Sequence, residues 1–164
     1  MTGESGLVPR LQFLARVVRK ECAHLALTDQ RLFGVDTTGS KFTLAQAKQL
    51  EADHDLAERV EAFVGRFSRL QDTLGDKLLP SLLSALGEKP SAMIDSLDRA
   101  ERLGLLASAE QWMTMRNLRN QMIHEYVEDP LILTNALQTG HAFVPSLLSA
   151  GTKMVAEIEK RGWA

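Results

Sequence analysis

Arg119, Asn120, His124 and Tyr126 stand in one short run, Arg119-Asn120-Gln121-Met122-Ile123-His124-Glu125-Tyr126, inside an otherwise apolar pattern. A guanidinium stays charged and offers a fork of donors to phosphate oxygens, whereas an imidazole exchanges its proton near neutrality. Together they suit acid–base cleavage of a phosphodiester without a metal. On a helix advancing about 100° per residue, Trp112, Met115, Arg119, Met122, Ile123 and Tyr126 share one apolar stripe, with Arg119 near its middle. An unpaired buried guanidinium is strongly unfavourable, so Arg119 requires a carboxylate, a polar cavity, a bound anion or a wet subunit interface. A structural ion pair with Asp72 or Asp76 is one such solution.

His124 lies roughly 140° around an ideal helix from Arg119, while Asn120, four residues before it, shares nearly the same face. Arg119 and His124 therefore need a long reach, a loosened helix before Asp129-Pro130, or a second protomer across a two-fold axis; the two-fold arrangement is the reading favoured here. Tyr126, the only tyrosine, falls about 20° from Arg119, where an amphipathic ring can also simply close the edge of a bundle. Arg116, one turn earlier, adds positive charge and reads as a solvated residue with a possible supporting role in RNA binding.

The elements that must position these groups are helices. Leu11, Leu14, Val18, Cys22, Leu25 and Leu32 recur at three- and four-residue spacing, which predicts one long amphipathic helix, broken by Gly34 and Thr37-Thr38-Gly39-Ser40. Thr43 with Gln46 forms a capping-box pattern, and Leu50, Leu56, Val60, Phe63, Phe67, Leu70 and Leu74 trace a second helix that Gly75 ends or bends. A short helix over Leu78 to Leu86, with Pro80 in its first turn and Gly87 as its stop, is followed by one opening at Pro90-Ser91. That one carries Ile94, Leu97 and Ala100 and ends at Leu103-Gly104. Ser108 with Gln111 is a second capping-box pattern and starts the motif helix. Asp129-Pro130 launches the last helix through Leu133, Leu137, Val144 and Leu148 to Ile158, which Pro145 should kink or divide. With no β-alternation and no repeat, the expected fold is all-α: a single domain over residues 1–164, an up-and-down bundle of four to five helices.

Composition bounds the rest. With 164 residues, 45% apolar and 24% charged, the chain suffices for one full core. The single cysteine, Cys22, excludes an internal disulfide framework and a multi-cysteine zinc site, and points to a reducing compartment, the cytoplasm. Neither a signal peptide nor a membrane span is expected, and Leu7-Val8-Pro9-Arg10 reads as native sequence although it looks like a protease-tag site. A net charge of −2 gives no global nucleic-acid signature, so any RNA contact must be local.

The motif, taken with Leu103-Gly104-Leu105-Leu106, Trp112 and Leu118-Arg119-Asn120, resembles the HEPN superfamily, specifically its HepT-like toxins. The residue-level likeness runs from about Phe67 to Asp129. These proteins share an Arg, four to six residues and a His, and the HepT branch adds a tyrosine two positions later. The resemblance implies a helical homodimer acting as a metal-independent endoribonuclease without a cofactor, with Arg119 and His124 as the catalytic pair near the dimer axis. The ribose 2′-hydroxyl would attack phosphorus, His124 would move a proton and Arg119 would stabilise phosphoryl charge, with Asn120 holding the histidine or a phosphate oxygen. It further implies a minimal nucleotidyltransferase antitoxin that attaches AMP to the tyrosine matching Tyr126, placing bulk and negative charge at the cleft. Phe67-Ser68-Arg69-Leu70-Gln71-Asp72 looks like a segment of close relatives, in which Asp72 or Arg69 would support the site. The alternative is a non-catalytic nucleotide-binding or regulatory subunit of a nucleotidyltransferase complex, and a third reading is a plain helical scaffold.

Overall fold

Four long helical rods pack in an up-and-down bundle, with two short helices filling the corners. The computed structural model describes residues 4–34, 42–89 and 91–164, with the side chains of residues 4, 5 and 125–127 outside the description. The elements are α1 (Glu4–Phe33), α2 (Leu44–Lys48), α3 (His54–Asp72), a π-helical segment (Thr73–Leu78), α4 (Leu79–Ala85), α5 (Met93–Arg102), α6 (Ala109–Glu128) and α7 (Pro130–Lys160). No strand occurs among the described residues. No described helix is long and apolar enough to cross a membrane.

The apolar periodicities become the core. Leu11, Leu14, Val18 and Leu25 of α1 are buried, as are Val60, Phe63, Phe67, Leu70 and Leu74 from α3 into the π segment, and Leu133, Leu137, Val144 and Ile158 of α7. Cross-contacts fix the directions. Arg19 pairs with Glu159 and His141 Nδ1 lies 2.6 Å from Asp29 Oδ1, so α7 runs antiparallel to α1. Arg66 reaches Thr28 and Thr73 donates to Glu21 at 3.2 Å, so α3 is antiparallel to α1 as well. Burial pushes the Asp29 carboxyl above its usual range against the opposing pull of His141, whose ring stacks on Phe33 at 4.1 Å.

Caps behave as their residue types require. The capping box at Thr43 and Gln46 is complete. Asp129 accepts from the amides of Leu131 and Ile132, with Pro130 in the first turn where its missing N–H is harmless. Gly87 and Gly104 take positive φ, 86° and 76°, and each closes a Schellman turn, Glu88 N to Leu83 O at 2.9 Å and Leu105 N to Ala100 O at 2.9 Å.

Several expectations need correction. The helix begun at Thr43 stops at Lys48 and restarts at His54, because Asp53 is a better cap than interior residue and accepts from the Leu56 amide at 3.0 Å. Gly75 does not end the second rod. The chain continues through the π segment into α4, and the wider turn absorbs the missing donor of Pro80, as Leu79 N bonds back to Leu74 O. Pro145 does not divide α7, whose buried neighbours Val144 and Leu147 hold both sides of it in the core. Ile94 is exposed while Leu97 and Ala100 of the same helix are buried. At Ser108 one half of the expected box is present: its hydroxyl accepts from Gln111 N at 3.0 Å, while the amide of Ala109 is taken by Glu101. Pro90 and Thr37 to Ser40 fall outside the described residues.

α1 and α7 pack tightly at Gly151, where an added Cβ would lie 2.9 Å from Cys22 Sγ and 3.3 Å from Val18 Cγ1. Gly151→Ala should therefore destabilise the protein by about 1–3 kcal/mol despite the better helix propensity of alanine. Cys22→Ala in the same chain should recover part of that loss. Urea titration of the two single variants and the double variant reads the coupling, and additive losses would show that the contact is not limiting.

Candidate functional site

The motif sits on α6, whose buried stripe runs through Ala109, Trp112, Met115 and Met122. The last residues of the expected stripe depart from it. Ile123 is 50% exposed, and the Tyr126 side chain lies outside the described residues. Trp112 anchors the helix: its ring meets Phe143 edge-on with centroids 6.3 Å apart, and an added Cβ at Gly75 would lie 3.2 Å from its Nε1. Gly75 thus belongs to the seat of the indole. Gln71, itself buried, donates to the Trp112 carbonyl at 3.1 Å.

Arg119 takes the ion-pair solution, and of the two candidate carboxylates it uses Asp72. Both of its contacts run through Nη1, to an Asp72 carboxylate oxygen and to the Ser68 carbonyl at 3.2 Å. Its side chain is 15% exposed and that of Asp72 43%, so the carboxylate is the more solvent-open member of the pair. Asp76 is exposed on the π segment and Arg69 on α3. Arg116 is not simply solvated: partly buried, it directs Nη1 to Met93 Sδ at 3.0 Å and ties α6 to the start of α5. Asn120 and His124 are both exposed. One chain thus holds Arg119 in the α3–α6 seam and His124 on open surface. Among the described residues, no group of three or more His, Cys, Asp or Glu is arranged to hold a metal ion.

Three buried side-chain atoms in this seam have no hydrogen-bond partner: Ser68 Oγ, Gln71 Oε1 and Arg119 Nε. Buried polar groups are nearly always paired, and two of these, Ser68 Oγ and Arg119 Nε, belong to residues already joined by the Arg119 Nη1 bond to the Ser68 carbonyl, which marks a polar spot within the packing. Ser68 and Gln71 were not legible as site residues, although a glutamine beside the buried Leu70 in a core register is itself a signal. A fourth unpaired atom, Glu21 Oε2, lies across the rod, where its carboxyl accepts from Thr73. Burial raises the Glu21 pKa above its ordinary 4.5, outweighing the Thr73 hydrogen bond and the attraction of Arg69, Lys77 and His24. A raised folded-state pKa means that the protonated form favours folding. This contribution is present below the unfolded pKa and is lost as pH rises through the folded value. Glu21→Gln should thus raise the melting temperature at pH 7 by a few degrees relative to the parent, with the difference closing at about pH 4. An equal gain at both pH values would remove the carboxyl from the account.

No family model matches the chain, and neither a curated protein nor a solved structure matches it.

Proposed function

We propose that this protein is a metal-independent endoribonuclease of HEPN type, the toxin of a toxin–antitoxin pair, working as a homodimer in the cytoplasm. The reading is carried by a mostly buried Arg119 standing five residues before an exposed His124 on one helix, with the motif tyrosine beyond it. In the proposed reaction His124 takes the proton of a ribose 2′-hydroxyl as its oxygen bonds to phosphorus. The bond to the 5′-oxygen breaks, that oxygen receives a proton, and a 2′,3′-cyclic phosphate remains. Arg119 neutralises the charge gathering on the non-bridging oxygens, and Asn120, four residues before His124, is placed to steady the imidazole or a phosphate. His124 and the Arg119 seam face different ways on α6, and in the proposed dimer a second copy brings its His124 to Arg119. Adenylylation of Tyr126 by a nucleotidyltransferase antitoxin would bring bulk and negative charge to the cleft and switch the enzyme off.

Partner-free protein should cut RNA in the presence of a chelator, with specific activity rising with protein concentration through the dimer transition. Co-expression with whichever gene lies next door should add adenylyl mass that Tyr126→Phe abolishes. Intact RNA after incubation with unmodified protein would overturn the proposal, and nucleotide binding without cleavage would mark a regulatory subunit instead.

The Arg119–Asp72 pair favours a second reading, in which Arg119 only ties α6 to α3. Arg119→Met then leaves every activity intact and can stabilise the fold, since an apolar side chain often replaces a buried ion pair without loss.

A further inference from the structure

We propose that Asp72 is the resident anion of an oxyanion site around Arg119, and that a phosphate of the ligand enters this site by displacing the Asp72 carboxylate. The inference rests on the reading of Arg119 as a phosphate-binding group and adds a built-in competitor to it. Arg119 is too deeply set to stand without a counter-charge, and Asp72, the more solvent-open member of the pair, supplies one. Any anion approaching from solvent therefore meets a carboxylate already bonded to Nη1. The surroundings exceed what one ion pair needs. Ser68 Oγ is a buried hydroxyl without a partner on the residue whose carbonyl already accepts from Arg119, and Arg119 Nε is a second buried donor without one. A tetrahedral oxyanion presents more acceptor oxygens than a carboxylate and can engage donors that Asp72 leaves idle. Asp72 ends α3 at the junction with the π segment, a helix type frequent at functional sites. The protein thereby holds its arginine neutralised until a phosphodiester competes for it, so that weak anions are excluded.

The test uses the full-length protein and simple salts. Asp72→Asn should melt roughly 5 °C below the parent in chloride, because the guanidinium loses its counter-charge. Inorganic phosphate at matched ionic strength should restore most of that loss, while the parent shifts little. The double variant Asp72→Asn/Arg119→Met should not respond to phosphate. If Asp72→Asn fails to fold in chloride, Asp72→Ser is carried through the same series, and folding in phosphate but not in chloride is the supporting result. Equal behaviour in phosphate and chloride, a response that survives loss of Arg119, or failure to fold in both salts overturns the inference. Phosphate rescue with a parent that never cuts RNA would keep the anion site and sink the ribonuclease, and cleavage without rescue would do the reverse.

Discussion

His124→Ala is expected to lower RNA cleavage by about 10³-fold while leaving the fold unchanged. General acid–base catalysis by a positioned side chain is worth about 10²–10⁴-fold, and histidine is the side-chain type suited to it at neutral pH. Because His124 is exposed, its removal should alter stability by no more than about 0.5 kcal/mol, so lost activity cannot be blamed on unfolding. The same variant decides where the histidine comes from. Mixed with Arg119→Ala and allowed to exchange subunits, it forms heterodimers in which a shared site can pair an intact arginine from one chain with an intact histidine from the other. About a quarter of the parental activity should return, since half the dimers are mixed and each carries one complete site. No recovery on mixing would place both groups in one chain, and unimpaired cleavage by His124→Ala would end the catalytic proposal.

Trp112→Ala should destabilise the protein by about 3–5 kcal/mol, the largest loss expected from any single truncation on the motif helix. The indole is 2% exposed and touches two rods at once, Gly75 of the π segment and Phe143 of α7. Removing it opens a cavity that the α-helical walls cannot close, and it loosens the stretch of α6 whose carbonyl holds Gln71. Trp112→Phe keeps an aromatic edge towards Phe143 and should lose less than half as much. Denaturant unfolding followed by circular dichroism measures both. A loss below 1 kcal/mol for the alanine variant would mean that α6 is seated by other contacts.

Much of this architecture is local. The caps at Thr43, Asp129 and Gly87 sit where their chemistry places them, and the stripes of α1, α3 and α7 follow a 3.6-residue period that needs no partner to be recognised. Asp53 was hidden inside a longer periodicity, because the buried Leu50 and Leu56 continue the same spacing across the break. The seating of Trp112 on Gly75 joins residues 37 positions apart in the chain, which no local rule can bring together.

The candidate site divides along the same line. That Arg119 is a misplaced charge, that it needs an anion, and that it cannot share a face with His124 all follow from residue type and helical pitch. The choice of Asp72 over Asp76, the burial of Arg119, the exposure of Ile123 and the approach of Ser68 to the guanidinium were settled only by packing. Helical periodicity is a property of one rod, whereas the partner of a charge and the cover over a side chain depend on the rotation and register of two rods meeting. Those are set by side-chain interlocking along the whole bundle.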